Sequence, residues 1–161
     1  MSLVIVPGSF DPMTMGHLEL VRTAAKMHDE VVVAVMINSA KRYLFDMDTR
    51  VEIAKATVSE LPNVRVISEK GLLIDLFDTL NADAVCKGWR NETDYAYEIK
   101  MADWNREHNP RFVTKLIRSH GEFSSLSSTE VREKLFSGEI PEGLVHPDVL
   151  PIILKKLKKE Q

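Results

Sequence analysis

The chain of 161 residues contains one cysteine, Cys86, and so has no pair that could form an internal disulfide. No apolar run approaches the ~18–20 residues of a membrane-spanning helix, and no secretory signal pattern precedes the first apolar segment. The formal net charge of −3 gives no broad attraction to nucleic acid. Internal repeats and low-complexity segments are also absent. We therefore expect a soluble cytoplasmic protein with one domain over residues 1–161, and neither a membrane nor a nucleic-acid partner.

Short apolar runs alternate along the chain with longer segments of helical periodicity. The predicted strands are Leu3–Val6, Val31–Ile37, Val64–Ile67, Ala82–Cys86 and Phe112–Ile117. The predicted helices are a first one from about Leu18 to Met27, then Asp48–Leu61, Leu72–Leu80, Glu92–His108, Ser127–Phe136 and Val149–Leu157. We expect Asp48 or Thr49 to cap the second helix and Gly138 to end the fifth.

Val31–Ile37 is apolar at every position, as is typical of a strand that is buried on both faces. The alternation of such strands with helices predicts an α/β fold, a Rossmann-like doubly wound parallel sheet of five strands with C-terminal helices. Ligands of these sheets bind beyond the carboxyl ends of the strands. Four segments in those positions are rich in Gly, Ser, Lys, Arg or His: residues 7–17, 38–45, 87–90 and 119–129.

The first of these segments combines several groups that suit an anionic ligand. Gly8 would let the backbone turn and approach a ligand closely, and Asp11-Pro12 predicts a turn into a helix. Thr14 is placed to cap that helix, with Gly16 and His17 in its first turn. A helix N-terminus offers unpaired N–H groups to a phosphate and lowers the proton affinity of a nearby histidine. Gly16 leaves a patch without a side chain, on which we expect a flat or bulky group to lie.

The stretch GSFDPMTMGH (residues 8–17) resembles the nucleotide-binding signature of the HxGH nucleotidyltransferases, in the form with Thr14 at its first position. It is neither a P-loop nor a GxGxxG motif. Within that superfamily the chain resembles the bacterial phosphopantetheine adenylyltransferases over about residues 3–150. The resemblance implies a transfer of the adenylyl group of ATP to 4′-phosphopantetheine, giving dephospho-coenzyme A and pyrophosphate.

Four further stretches carry the resemblance: NSAKRYLF (38–45), GLLIDLF (71–77), KGWRNETDYAYE (87–98) and SSLSSTEVRE (124–133). By the resemblance, His17, Lys41 and Arg90 are catalytic, with His17 stabilising the transition state. The residues implied for ATP binding are Ser9, Phe10, His17, Gly88, Trp89, Arg90, Glu98, Phe123, Ser124, Ser125, Leu126, Ser127, Ser128 and Thr129. Those implied for the acceptor substrate are Ser9, Lys41, Leu73 and Lys87.

Two positions depart from the pattern of the family. Lys87 stands where arginine is usual, which keeps the charge but loses the bidentate fork. Arg132 stands where these enzymes often have lysine, whereas the nicotinamide mononucleotide adenylyltransferases also have arginine in that helix. Nicotinamide mononucleotide therefore remains an alternative acceptor.

The resemblance further implies Mg²⁺ on the ATP phosphates, although the sequence contains no dedicated metal-binding motif. It implies a homohexamer and coenzyme A as a feedback inhibitor; the apolar face of the helix at Leu72–Leu80 suits a subunit interface or the core equally well. A non-catalytic nucleotide-binding module and a flavodoxin-like electron carrier are the alternatives outside this enzyme class. The combination of His17, Lys41 and Arg90 argues against the first, and the lack of a Ser/Thr-rich phosphate loop after the first strand argues against the second.

Overall fold

A computed structural model describes residues 1–159 of the chain and forms one parallel sheet flanked by helices. The strands are β1 (Leu3–Gly8), β2 (Glu30–Met36), β3 (Val64–Glu69), β4 (Ala84–Trp89) and β5 (Thr114–Arg118). The helices are α1 (Met15–Met27), α2 (Met47–Thr57), α3 (Leu73–Thr79), α4 (Glu92–His108), α5 (Ser128–Phe136) and α6 (Leu150–Lys159). A 3₁₀ turn, Pro147–Val149, precedes α6. None of the helices within the described residues has the length and apolarity needed to cross a bilayer.

The strand order is β3-β2-β1-β4-β5, and every neighbouring pair is parallel. This confirms the predicted Rossmann-like, doubly wound α/β fold. The chain reverses its direction of winding between β1 and β4. Whereas β1 pairs with β2 along its whole length, it pairs with β4 only at Val4 and Ile5. The carboxyl ends of β1 and β4 are therefore not paired with each other, which leaves a crevice at the switch point.

Alternate side chains of β1 enter two apolar cores, one on each face of the sheet. Val4 and Val6 pack with α1, α2, α5 and α6, whereas Ile5 packs with α3 and Phe112. The first five residues of the predicted run Val31–Ile37 are fully buried in β2, whereas Met36 is only partly buried and Ile37 is exposed just beyond the strand. These cores support both faces of the sheet and hold the strand ends in place around the crevice.

Several helix ends follow the sequence signals, but both ends of α2 differ from the prediction, which placed its last residue at Leu61 rather than Thr57. Thr14 caps α1, Gly138 follows α5 with φ +78°, and Pro151 lies in the first turn of α6, where proline is tolerated. The expected cap of α2 is wrong. The helix begins at Met47, and the Asp46 carboxylate accepts the Thr49 N–H at 2.8 Å. Lys156 of α6 also donates to Asp46, and together these contacts lower the pKa of Asp46 to about 2.

Candidate active site

A cavity of about 290 Å³ occupies the crevice between the carboxyl ends of β1 and β4. Three of the four segments predicted to carry function meet there: the β1–α1 loop, the end of β4 and the loop before α5. The predicted site residues that line it are Ser9, Phe10, His17, Lys87, Gly88, Arg90, Glu98, Phe123, Leu126, Ser127 and Ser128. The topology thus brings together side chains that are more than 100 positions apart in the sequence.

His17 is held at the start of α1 by a reciprocal capping box with Thr14. The backbone N–H of Thr14 donates to Nδ1 of His17 at 2.9 Å, and the backbone N–H of His17 donates to Oγ1 of Thr14 at 3.3 Å. Because Nδ1 accepts a hydrogen bond, a neutral His17 ring carries its proton on Nε2. The cap therefore selects the tautomer of a cavity-lining histidine as well as starting the helix.

The surroundings of His17 keep its ring neutral. Burial, reinforced by the nearby positive charge of Arg90, lowers the pKa of His17 from 6.5 to about 4. The ring of Phe10 also meets the imidazole edge-to-face, with centroids 5.1 Å apart. The sequence predicts a lowered pKa of His17 from the helix dipole. In the structure the main cause of the lowered pKa is the burial of the ring. At neutral pH His17 is a fixed neutral donor, and its role is not that of an imidazolium.

Both glycines of the opening motif line the cavity, and both also lie close to the protein's own chain. Gly8 continues β1, and a Cβ there would lie 2.9 Å from the Phe10 ring; the sharp turn expected at Gly8 occurs instead at Phe10, with φ +47°. A Cβ on Gly16 would lie 3.2 Å from the carbonyl oxygen of Phe123. The absence of side chains thus lets the chain pack closely beside the cavity, and the expected contacts of the two glycines with a ligand stay predictions.

Another part of the cavity wall carries paired charges. Lys87, at the end of β4, lies 3.5 Å from the Glu98 carboxylate, and the Arg90 Nε donates to Asp94 at 3.0 Å. Asp94 and Glu98 are four residues apart on α4 and therefore share one face of that helix. All four side chains line the cavity. The two cations expected to bind phosphates are thus held by carboxylates that an anionic ligand can replace.

The start of α5 forms a third part of the cavity wall. Ser127 is the N-cap, and its hydroxyl accepts the N–H of Glu130. The Ser128 hydroxyl donates to the Pro12 carbonyl at 2.7 Å, so its proton is used within the protein. Its backbone N–H, in the first turn of α5, remains suited to a phosphate. Ser128 therefore both connects α5 to the β1–α1 loop and lines the cavity.

Arg132 has a structural explanation in this chain. It donates to the Asp11 carbonyl at 2.8 Å and to the Thr129 hydroxyl at 3.0 Å. These contacts connect α5 to the β1–α1 loop alongside the bond from Ser128. Arginine at this position therefore does not itself indicate nicotinamide mononucleotide as the acceptor.

The remaining predicted site residues lie outside the cavity wall. Lys41 is exposed in the β2–α2 loop, and Leu73 packs against the core cluster that contains Ile5. Trp89 packs edge-to-face on Tyr95, with centroids 4.9 Å apart. Three predicted residues near the start of α5 also do not line the cavity: Ser124, Ser125 and Thr129. Their substrate contacts stay predictions.

Three residues that sequence reasoning did not assign to the site either line the cavity or hold the loops beside it. Asp94 lines the cavity, and its spacing of four from Glu98 was a usable signal. The buried Asp11 carboxylate accepts the N–H groups of Leu44 and Phe45 at 2.8 and 3.0 Å, which joins the β2–α2 loop to the β1–α1 loop. Arg50, only 2% exposed, donates hydrogen bonds to backbone carbonyls just after β1 and at the end of β2. Nothing local in the sequence marks Arg50 as buried.

The donor set of the cavity does not form a protein site for Mg²⁺. Within the described residues there is no group of three or more His, Cys, Asp or Glu side chains placed to hold a metal ion. The two cavity carboxylates, Asp94 and Glu98, are paired with cations. Mg²⁺ bound to ATP would therefore be held chiefly by the oxygens of the ATP itself, as is common for this ion.

The fold agrees with comparisons to known proteins. A family model described as cytidylyltransferase-like matches residues 5–134. A crystal structure of a candidate nicotinate-nucleotide adenylyltransferase from Vibrio parahaemolyticus superposes with a TM-score of 0.75, covering 96% of this chain and 93% of that one. At 19% sequence identity this likeness shows the fold alone. The class is thus the cytidylyltransferase-like nucleotidyltransferases.

Curated relatives give the particular family. A phosphopantetheine adenylyltransferase from Clostridium botulinum is 36% identical, covering 98% of this chain and 99% of its own. One from Clostridium kluyveri is 39% identical, covering 99% of this chain and 97% of its own. The chain belongs to the phosphopantetheine adenylyltransferase family within the cytidylyltransferase-like proteins, which confirms the resemblance recognised in its motifs.

Proposed function

We propose that this protein transfers the adenylyl group of ATP to 4′-phosphopantetheine, releasing pyrophosphate and forming dephospho-coenzyme A. One observation carries the proposal. In a chain that matches the named relatives along nearly its whole length, one cavity is lined by a neutral His17 together with Lys87 and Arg90. A neutral hydrogen-bond donor in the same cavity as two cations suits a reaction in which negative charge moves between phosphate oxygens.

The chemistry needs little from the protein besides positioning. An oxygen of the acceptor phosphate attacks the α-phosphorus of ATP, a new P–O bond forms, and the bond to pyrophosphate breaks. The nucleophile is already an anion, so no side chain has to remove a proton from it. Alignment of the reacting groups and stabilisation of developing charge then supply the rate acceleration.

His17 acts on the group that is transferred. With Nδ1 bound to the Thr14 N–H, the ring presents its Nε2 proton as the donor. We assign that donor to an α-phosphate oxygen, where charge builds up in the transition state. Because the pKa of His17 is about 4, the ring is neutral at pH 7. The one N–H that a neutral imidazole keeps is donated as a hydrogen bond and is not released.

Basic side chains and the start of α5 hold the two flanking phosphates. Lys87 and Lys41 take the phosphate of the acceptor, with Ser9 between the two substrates. Arg90 and the N-terminus of α5 take the leaving phosphates, while Glu98 lies on the ATP side. Phosphate replaces carboxylate at Lys87 and Arg90, so the positive charges are transferred from one anion to another rather than desolvated alone.

Mg²⁺ enters this proposal as part of the nucleotide substrate, where it neutralises charge on the phosphates. Feedback by coenzyme A and a cytoplasmic location remain predictions. Competition between coenzyme A and ATP in the steady state tests the first.

A homohexamer also stays a proposal, and burial in the subunit favours the core rather than an interface for the apolar face of α3. In α3, Leu76 and Phe77 are buried in the core of the subunit. Helix α4 instead exposes a series of large apolar side chains: Tyr95, Tyr97, Ile99, Met101 and Trp104. An exposed apolar surface of this kind is typical of a protein contact. Light scattering on the purified protein tests the subunit number.

The decisive experiment measures pyrophosphate release from ATP with each acceptor in turn. We expect turnover with 4′-phosphopantetheine and none above background with nicotinamide mononucleotide. Turnover with the mononucleotide alone would replace the acceptor. ATP binding without pyrophosphate release from any acceptor would support the non-catalytic module instead.

A further inference from the structure

Arg50 is a buried cation that the proposed reaction does not use. It lies in the first turn of α2 with 2% of its surface exposed. The described residues include no carboxylate within 4 Å of its guanidinium. Burying a charge is costly unless it is well compensated, so a specific arrangement must hold it.

Backbone carbonyls from three separate segments compensate that charge. The Nη1 group of Arg50 donates to Ser9 at 2.8 Å and to Met36 at 3.1 Å, and Nε donates to Phe45 at 3.2 Å. Ser9 belongs to the β1–α1 loop, Met36 ends β2, and Phe45 closes the β2–α2 loop. One side chain therefore connects the two loops that follow neighbouring strands.

A second set of contacts extends from Arg50 to the turn that carries Lys41. The guanidinium lies 4.0 Å from the centre of the Tyr43 ring. The Tyr43 hydroxyl oxygen accepts the backbone N–H of Asn38 at 2.6 Å. The carbonyl of Asn38 in turn accepts the N–H of Lys41 at 2.9 Å. Lys41 is thus connected to Arg50 through a stacked ring and a short backbone turn.

We propose that Arg50 is a positioning residue for the acceptor phosphate, holding the Lys41 turn against the β1–α1 loop that carries Ser9. The inference rests on the proposed function, because it requires Lys41 and Ser9 to meet the acceptor. Arginine is suited to this role since its planar fork reaches several fixed acceptors at once, whereas lysine offers a single point charge.

The nucleotide side of the same loop is held by other residues. Ser128 and Arg132, both on α5, donate to the carbonyls of Pro12 and Asp11. A change at Arg50 should therefore affect the acceptor more than ATP. A rise in KM for the acceptor without a matching rise in KM for ATP would therefore point to Arg50 as a positioning residue. A general loss of stability would not produce that difference.

The test compares steady-state kinetics of Arg50→Lys, Tyr43→Phe and Tyr43→Leu with those of the unaltered protein. Arg65→Lys is the matched control, since Arg65 is a half-exposed arginine paired with Glu30 on β3. Turnover of the unaltered protein with 4′-phosphopantetheine is measured first. Its absence would contradict the proposed function, independently of Arg50.

For Arg50→Lys we expect KM for 4′-phosphopantetheine to rise about tenfold or more, while KM for ATP changes less than about threefold. Tyr43→Leu should raise the same KM by a smaller factor, and Tyr43→Phe by the least, because it keeps the stacked ring. Arg65→Lys should leave both KM values unchanged.

Equal rises in both KM values, or unchanged kinetics in Arg50→Lys and Tyr43→Leu, would overturn the inference. Tyr43 is only half-buried, so its variants keep the test valid if Arg50→Lys fails to fold. A Tyr43→Leu protein that folds and retains the full affinity for the acceptor would contradict the proposed connection to Lys41.

Discussion

Two parts of the cavity wall differ in what holds their polar groups in place. One part, the fixed wall, consists of the β1–α1 loop with His17 and the start of α5 with Ser127 and Ser128. Its polar groups are bound to the protein's own backbone at 2.7–3.3 Å. The other part, the charged wall, consists of Lys87, Arg90, Asp94 and Glu98, which form two ion pairs beside the cavity.

This difference corresponds to two tasks that a phosphoryl-transfer site must perform. A donor that stabilises the transition state has to be in place before the reaction, because reorganising it during the reaction would raise the barrier. Groups that bind and release anionic substrates need alternative partners once the product has left. Backbone hydrogen bonds serve the first task, and exchangeable ion pairs serve the second.

The largest expected effect on catalysis comes from removing the hydrogen-bond donor of the fixed wall. His17→Ala should lower kcat and kcat/KM by similar factors of about 10²–10³, because the lost hydrogen bond belongs to the transition state. His108→Ala is the matched control, since His108 is exposed at the end of α4. Stopped-flow and steady-state kinetics measure the effect, and a near-normal kcat in His17→Ala would remove His17 from this role.

A change in the charged wall should affect binding more than kcat. Lys87→Ala should weaken the affinity for 4′-phosphopantetheine by roughly 10- to 100-fold, as expected for the loss of a hydrogen bond to a charged group worth ~1.5–3 kcal/mol. Lys87→Arg should bind at least as tightly as the unaltered protein, because its fork makes two parallel contacts with phosphate.

Titration calorimetry with the acceptor measures both Lys87 variants. Lys55→Ala, an exposed change on α2, is the control. Unchanged affinity in Lys87→Ala would place the acceptor phosphate elsewhere.

The neutral state of His17 also predicts how stability depends on pH. The pKa of His17 is about 4 in the folded protein and 6.5 when the ring is exposed. Between pH 6.5 and pH 4, His17 of the unfolded chain binds a proton, whereas His17 of the folded protein stays neutral. The contribution of His17 to the free energy of unfolding is therefore complete above pH 6.5 and is lost as the pH falls towards 4. Over that range the folding equilibrium constant falls about tenfold per pH unit.

Urea unfolding of the unaltered protein and of His17→Gln between pH 7 and pH 4.5 isolates this contribution. The difference between their free energies of unfolding should change with pH in that direction. A difference that stays constant over the range would mean that the folded His17 titrates normally.

The smallest expected effect comes from releasing Arg90. Asp94→Asn removes the charge of its partner but keeps an oxygen that accepts the Arg90 backbone N–H. The pair is partly exposed, so it contributes only about 0.2–1 kcal/mol, and KM for ATP should fall about two- to fivefold. Steady-state kinetics at low ionic strength would reveal the change, and a higher KM for ATP would show that Asp94 itself assists the nucleotide.

The sequence predicts the fixed wall better than the charged wall. The Thr14 cap and the His17 contact follow from residues three apart, and buried strands are recognisable from continuous apolar runs. The partner of Lys87 is eleven residues away on another element, so local spacing does not reveal the ion pair. Even the α2 cap, expected at Asp48 or Thr49, is provided by Asp46, because several acidic residues compete near the helix start.

Arg50 and the glycines show a second limit. A helical arginine in the segment DTRVEIA is typical of an exposed surface, and its burial depends on three carbonyls from segments that meet only in the folded chain. Gly8 and Gly16 were predicted to make room for a ligand, and both line the cavity, but the sequence does not reveal that the Phe10 ring and the Phe123 carbonyl also lie close to them. Non-local packing decides both cases.

The most direct test of the account measures the protonation of His17 itself. Long-range ¹H–¹⁵N spectra of the unligated protein, with His17→Gln used to assign the signal, report which ring nitrogen carries the proton. We predict a neutral ring with its proton on Nε2 and an unprotonated Nδ1 throughout pH 5.5–8, given the pKa of about 4 and the bond from Thr14. An imidazolium at pH 7, or a neutral ring with its proton on Nδ1, would contradict the fixed neutral donor on which the proposed mechanism depends.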